Sequence, residues 1–402
     1  MSSPEAAARL SGVEFIALIA MLFATVAFSI DSMLPALPEI ARELVPYDTN
    51  RAQLIVTSFV LGMGIGTFGA GPLSDSFGRR NVIIGGALLY CLAALAAYAA
   101  PTMETVLAAR VVQGVGAAGP RVVSVALVRD LYKGREMARV VSFAMMIFTL
   151  VPAVAPLAGS FIIAGFGWRA IFLAFIGFAA LSILWLGLRQ PETLPAAMRR
   201  PLSVGTLVQA LREVLGNRIV VISIAVQTLC FAALFGTLSS TQPIFDVTFG
   251  RGADFPFWFA VIAVVAGCAS FLNASFVVRL GMRLLITAAL AAEVALSLLF
   301  LVLTWSGALP EPVYFALYIG WTVSVFMMTG LTLGNLNALA LEPLGHIAGM
   351  AASTTGAIAT VAAVALAAPL GLAFDGTPLP LTAGVMALAA VGFALMRKMP
   401  GR

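Results

Sequence analysis

Apolar residues in this chain gather into long runs separated by short polar breaks, and nowhere alternate residue by residue as a half-buried strand would require. Twelve runs predict helices near 14–37, 53–73, 81–100, 103–128, 138–164, 169–188, 218–241, 255–278, 284–305, 312–340, 347–372 and 380–396. At about 1.5 Å per residue, each crosses most or all of the roughly 30 Å of a bilayer's hydrocarbon. The longest polar break, residues 189–217, divides them six and six. Within it Val204, Val208, Leu211 and Leu215 recur at helical spacing beside Arg212 and Glu213, which predicts a short amphipathic helix at the membrane interface. The pattern predicts an all-α membrane protein of twelve transmembrane helices. It divides into an N-terminal bundle (1–188), a cytoplasmic linker (189–217) and a C-terminal bundle (218–402).

Composition agrees with the pattern. Of 402 residues, 61% are hydrophobic and 10% charged, with a mean hydropathy of +1.03. Soluble domains carry roughly 45–50% apolar and about 25% charged residues. The first run, Phe15 to Ile30, lacks a strongly basic start and a clear cleavage site, so it reads as mature protein rather than a signal peptide. Cys91, Cys230 and Cys268 stand apart in apolar runs, and His346 is the one histidine, so no metal cluster or disulfide framework is expected. Lys133 and Lys398 are the two lysines, and neither closes a phosphate-binding G-x-x-x-x-G-K-[ST] loop. No cofactor or nucleic-acid partner is expected.

Charge distribution sets the expected orientation. With both termini cytoplasmic, seventeen basic residues fall on the inner side: Arg9, Arg79, Arg80, Arg129, Lys133, Arg135, Arg139, Arg189, Arg199, Arg200, Arg212, Arg218, Arg279, Arg283, Arg397, Lys398 and Arg402. Four fall outside: Arg42, Arg51, Arg169 and Arg251. That asymmetry follows the positive-inside rule and predicts a multi-pass protein of the cell inner membrane. A shift of 203 residues lays Gly78-Arg79-Arg80 over Gly281-Met282-Arg283 in the matching loop of the second half. Parallel six-span repeats of this kind mark one of the large transporter architectures.

The loop GPLSDSFGRR (71–80) concentrates Asp75, Arg79 and Arg80 between Gly71 and Gly78, flanked by apolar runs. Anchoring at the headgroups accounts for the arginines, while the glycines suit a tight turn and close helix approach. As a whole the stretch resembles the signature loop of the major facilitator superfamily, matched at Gly71, Leu73, Asp75, Gly78, Arg79 and Arg80. ARVVQGVGAA (109–118) resembles that family's fourth-span motif, with Arg110, Gln113, Gly114 and Gly116. VPAVAPLAGS (151–160) resembles its antiporter motif in a sparser glycine form. DSMLPALPEI, LVRDLYKG, GWRAIF, PETL and NALALEPLGHIAGMAAS resemble the drug:proton antiporters of the bicyclomycin/chloramphenicol-resistance type. Ser76, where the family usually has Arg or Lys, and Met33, where that branch has Tyr, depart from the pattern.

The resemblance implies a two-bundle major facilitator fold and a loop, Gly71 to Arg80, whose charges lock the halves in an outward-open state. It implies that spans one and four line a central cavity. It also implies a span-five bend at Pro152, Pro156 and Gly159 that seals the interface between halves, the alternative being a static kink.

Four ionisable residues lie well inside the spans: Asp31, Arg110, Arg121 and Glu293. Each is costly in lipid and should face protein or a watery cavity. Asp31 and Arg110 fall at matching depth, roughly 10 Å from the outer end of their spans by helix rise. They are expected either to form a fixed ion pair or to share a site in which Asp31 carries the coupling proton. Arg121 is expected to reach headgroups or cap a helix. Glu293, on a span that the resemblance makes peripheral, is expected to meet a partner or a lipid-facing defect, the alternative being a part in the transport chemistry. Gln113, Gln227, Thr228, Phe231, Phe235, Phe326 and Met327 are expected either to line the cavity or to pack.

The function these readings favour is proton-coupled export of small amphipathic or antibiotic-like compounds by alternating access, with protons, a small-molecule substrate and the bilayer as partners and a monomer as the working unit. Export of a metabolite such as a sugar or amino-acid derivative is the alternative. A membrane-embedded enzyme would need clustered carboxylates or histidines, and a channel would need pore-lining rings.

Overall fold

Fourteen α-helices build the chain in the computed structural model, which describes residues 10–305 and 307–400. The first half holds α1 (Gly12–Asp31), α2 (Leu37–Leu44), α3 (Leu54–Phe77), α4 (Arg79–Tyr98), α5 (Met103–Leu131), α6 (Gly134–Phe166) and α7 (Ala170–Arg189). The linker carries α8 (Val204–Gly216). The second half holds α9 (Arg218–Pro243), α10 (Phe255–Leu280), α11 (Met282–Thr304), α12 (Glu311–Leu341), α13 (Ala348–Leu372) and α14 (Leu379–Arg397). Apart from α2 and α8, twelve are long enough to span a bilayer. One continuous helical run, Glu311–Leu372, contains two of them. They are separated at Glu342–Ile347, where Leu344 leaves helical geometry (φ −115°, ψ 26°) and turns the chain back.

Local sequence explains the breaks. Pro35 and Pro38 divide the first span into α1, a 3₁₀ turn at Leu34–Ala36, and α2, each proline sitting in a first turn where no backbone donor is needed. Gly78 separates α3 from α4 at φ +96°, and Gly281 separates α10 from α11 at φ +80°. Both lie in the left-handed region that only glycine adopts cheaply. The 203-residue echo is therefore an echo of backbone conformation: one hinge geometry recurs at the same place in each half.

Close helix approach follows from small residues. A Cβ on Gly114 would collide with the Phe59 carbonyl of α3, and one on Gly62 with the Val111 carbonyl of α5. In a span without water between helices, such backbone proximity supplies the dispersion contact that holds them together. Gly114 of the R-x-x-Q-G motif is thus an α3–α5 packing residue.

The halves meet along α3 with α13 and along α6 with α10. The end of the bundle carrying residues 44–53 is called outer, after the distribution of basic residues. There Ser240 donates to the Gln53 side chain at 2.8 Å, and Asn50 donates to the Leu372 and Phe374 carbonyls at 3.1 and 2.7 Å. One apolar cluster joins Met33, Leu37 and Ile40 of the first half to Phe235, Leu238 and Phe245 of the second. The outer end is closed by these contacts. Met33 is fully buried among them, so its departure from the family pattern falls in a packing position.

Candidate functional site

Arg110 is completely buried on α5. Its Nε donates to the Ile55 carbonyl at 3.2 Å, its Nη1 to Gln113 Oε1 at 2.8 Å and its Nη2 to the Ser29 carbonyl at 3.1 Å. The guanidinium lies over the Phe59 ring at 4.4 Å from the centroid, with Phe175 at 5.9 Å. The planar fork thereby ties α1, α3 and α5 together, its charge spread over carbonyl dipoles and aromatic faces. Tyr90 and Ser29 share a hydrogen bond beside it.

Asp31, the last residue of α1, is 4% exposed and forms no ion pair with any described residue. The fixed Asp31–Arg110 pair considered from sequence depth is not formed. Depth alone ignores rotation about the helix axis, and Arg110 reaches the carbonyl of Ser29, two residues earlier. The neighbouring joint is tight: a Cβ on Gly159 would collide with the Ser32 carbonyl. The span-five motif lies on α6, one of the helices along which the halves meet. Gly159 packs α6 against α1 within the first half, while α6 continues as one helix through Pro152 and Pro156. Pro156 and Gly159 are buried and Pro152 half-buried.

The loop of residues 71–80 forms a second polar centre at the inner end. Arg79 pairs with Asp75 and, through Nε at 3.1 Å, with Asp130 at the end of α5. Its Nη1 also donates to Ser74 Oγ at 2.6 Å. Glu192 of the linker caps α4: its Oε1 accepts from the Arg79 amide at 2.8 Å and its Oε2 from the Arg80 amide at 3.1 Å. A carboxylate at a helix N-terminus satisfies otherwise orphaned donors and complements the dipole. Thr193 donates to Asp130 at 2.9 Å, and Arg80 donates to the Gly187 carbonyl. Ser76, the departure from the signature, donates to the Arg200 carbonyl at 2.6 Å, while the Arg200 amide donates to the Asp75 carbonyl at 3.0 Å. Every one of these polar links stays within the first half or the linker. No ion pair from this loop crosses to the second half among the described residues in this outer-closed structure, whereas the lock that the resemblance implies belongs to the outward-open state. The second half approaches at Gly71, whose Cβ direction meets Ser353 Oγ of α13 at 3.7 Å. Asp130 and Glu192 were legible only as letters in quoted motifs, and their roles depend on the linker folding back.

The second half holds the remaining candidates. Gln227 is 5% exposed with its Oε1 unpartnered, and Gln113 in the first half has an unpartnered Nε2. Phe231 and Phe235 stack at 5.6 Å between centroids, and Phe326 meets Phe259 edge-on at 5.9 Å. Glu293 is not lipid-facing: it is 1% exposed, with Oε1 accepting from Ser297 Oγ at 3.0 Å. Trp321 of α12 donates to the same Ser297 oxygen at 2.9 Å. Among the described residues, Arg121 caps no helix. Its Nη1 contacts Met63 Sδ of α3 at 3.2 Å. The linker helix α8 is seated on the second half through Val214, in one cluster with Leu344 and Ala351, and through Glu213 with His346. A groove of about 500 Å³ between α1, α6 and α7 contains none of the candidate residues. Its lining includes Leu150 and Val154, both exposed on the outside of the bundle.

Twelve spanning helices in two bundles, with polar side chains held inside them, define a two-bundle membrane transporter. The chain belongs to the Major Facilitator Superfamily, whose family model matches residues 17–368. It is 31% identical over 386 residues to a protein of Bacillus subtilis described as an uncharacterized MFS-type transporter, YdgK, covering 93% of this chain and 92% of that one. It is 31% identical over 348 residues to a bicyclomycin resistance protein homolog of Haemophilus influenzae, covering 86% and 85%. A D-xylose-proton symporter crystal structure shares the fold at a TM-score of 0.78, with 16% identity and coverage of 97% and 98%.

Proposed function

We propose that this protein exports small amphipathic or antibiotic-like compounds across the cell inner membrane in exchange for protons, with Asp31 as the proton-carrying carboxyl. One observation carries the reading: Asp31 is buried at the end of α1, beside the closed outer end, with no ion-pair partner among the described residues. A carboxyl so placed takes up a proton when its surroundings are dry and releases it when they are wet, which is what alternating access demands. Similarity to the bicyclomycin resistance homolog supports the drug-like substrate class. Arg110 positions α1 through Ser29 and so holds the backbone on which Asp31 is mounted. Gln113 and Gln227, each with an unpartnered polar atom, supply hydrogen bonds to a substrate held between the halves. Phe231, Phe235 and Phe326 supply apolar faces. The cytoplasmic cluster of Asp75, Arg79, Asp130 and Glu192 fixes α3, α4, α5 and the linker as one body, so that the halves rock as units.

The test is Asp31→Asn in vesicles with an imposed pH gradient, read out with chloramphenicol and ethidium. Uphill transport is expected to disappear, while exchange across equal pH persists. Uphill transport at the wild-type rate would remove Asp31 from the coupling step.

A further inference from the structure

Arg121, like Arg110, is an intramembrane cation that forms no ion pair with any described residue, but unlike Arg110 it has no carbonyl acceptors among them either. It stands eleven residues after Arg110 on α5, about three turns at roughly 3.6 residues per turn, so both project from nearly the same face. That face meets α1. Val112, 43% exposed, lies two residues from Arg110 and so on the far side. Arg121 therefore points inward and remains partly exposed there. Its one polar contact is the Met63 thioether, a weak acceptor.

No acid on the surrounding elements forms an ion pair with Arg121 among the described residues. Asp75 and Asp130 hold Arg79, Glu14 holds Arg189, and Glu104 holds Arg51. Asp31 lies at the outer end of α1 and forms no ion pair with Arg121. Helix α13, packed on α3 from the other half, contains no charged residue at all. Arg121 faces the interior of the bundle, opposite the lipid-exposed side that carries Val112, so a lipid headgroup is not its counter-ion. A guanidinium that faces the interior without an anion offers a planar fork of donors matched to a carboxylate or sulfonate.

We infer that Arg121 is the subsite for an anionic group of the transported compound, and that the substrate range includes small amphipathic organic anions, an oxyanion on an apolar body. This deepens the proposed export function and rests on its placing the substrate between the halves. The apolar body would lie against Met63 and the small-residue surface of α3, and the oxyanion would accept from Arg121.

The test is equilibrium binding to the full chain, purified in nonionic detergent without any gradient, by thermal shift. The probes are 2-naphthoate and its neutral isostere 2-naphthamide. Wild-type protein should be stabilised by naphthoate at concentrations where naphthamide has no effect. Arg121→Gln should weaken naphthoate binding by about tenfold or more, as expected for loss of a charged hydrogen bond. Arg121→Lys should retain part of it, and Arg129→Gln, at an exposed arginine of the same helix, should retain all of it. No stabilisation of the wild type by naphthoate, or equal stabilisation by naphthamide, would overturn the inference even if Arg121→Gln fails to fold. Undiminished naphthoate binding to Arg121→Gln would do the same. Loss of uphill transport coupling would leave this binding result untouched, so the two readings fail separately.

Discussion

Arg110 donates Nη2 to the Ser29 carbonyl at 3.1 Å, linking α5 to the backbone of α1 two residues before Asp31. The motif arginine is thus a structural fork between three helices, and the neighbouring carboxyl is left without a counter-charge. Bracing and proton chemistry fall to different side chains at adjoining positions.

Arg110→Lys should therefore fail as a conservative change. A single ammonium cannot serve Ile55, Gln113 and Ser29 at once, and each charged hydrogen bond lost costs about 1.5–3 kcal/mol. A clearly lowered Tm in detergent is expected. An unchanged Tm would show that the fork is not needed for the fold.

Gly159→Val should push α6 away from α1, because a Cβ there collides with the Ser32 carbonyl. Overpacking of this kind costs about 1–3 kcal/mol. The expected outcome is lower stability together with proton leak into vesicles without substrate, measured with a pH-sensitive dye. Wild-type tightness and Tm would show that the joint beside Asp31 is not a seal.

Glu192→Gln should keep the shape of the α4 cap while removing its charge. The loss is about 0.5–2 kcal/mol, the usual range for a cap. The linker around residues 196–203 should become easier to cleave by a protease, and transport should slow without loss of the protein from the membrane. Unaltered cleavage would mean that the linker is held by other contacts.

Glu293→Gln should be tolerated, since an amide oxygen can still accept from Ser297 and no cation depends on the charge. Glu293→Leu should disturb the bond from Trp321 to Ser297 and shift tryptophan emission, with Trp321→Phe as the control. If Glu293→Gln abolished uphill transport, Glu293 would replace Asp31 as the coupling carboxyl.

Single cysteines introduced in the 196–203 segment should resist a membrane-impermeant thiol reagent in intact cells and react in inverted vesicles, the orientation that the basic residues predict. Labelling from outside would invert the topology. Arg9 and Arg402 of that count lie outside the described residues.

Much of the architecture was legible because it depends on one-dimensional quantities. Span length follows from bilayer thickness, span number from the spacing of apolar runs, and the hinges from glycine at Gly78 and Gly281. The break between α12 and α13 was legible too, because Pro343 and Gly345 flank Leu344, where the chain leaves helical geometry. Rotation about each helix axis was not legible. For that reason Asp31 and Arg110, placed at one depth from sequence, do not pair, and the choice left open for Glu293 between a partner and lipid was decided by its packing against Ser297.

The sequence by itself determined which residues would be expensive to bury: Asp31, Arg110, Arg121 and Glu293 must be compensated somewhere, because hydrocarbon solvates no charge. The tertiary structure decided how. Arg110 is satisfied chiefly by the carbonyls of Ile55 and Ser29, and Glu293 by a serine hydroxyl one turn away. Every residue has a carbonyl, so an acceptor of that kind leaves no mark in the sequence. Only the crossing of α1, α3 and α5 selects which carbonyls face the guanidinium, and only the same packing leaves Asp31 and Arg121 without an ion pair.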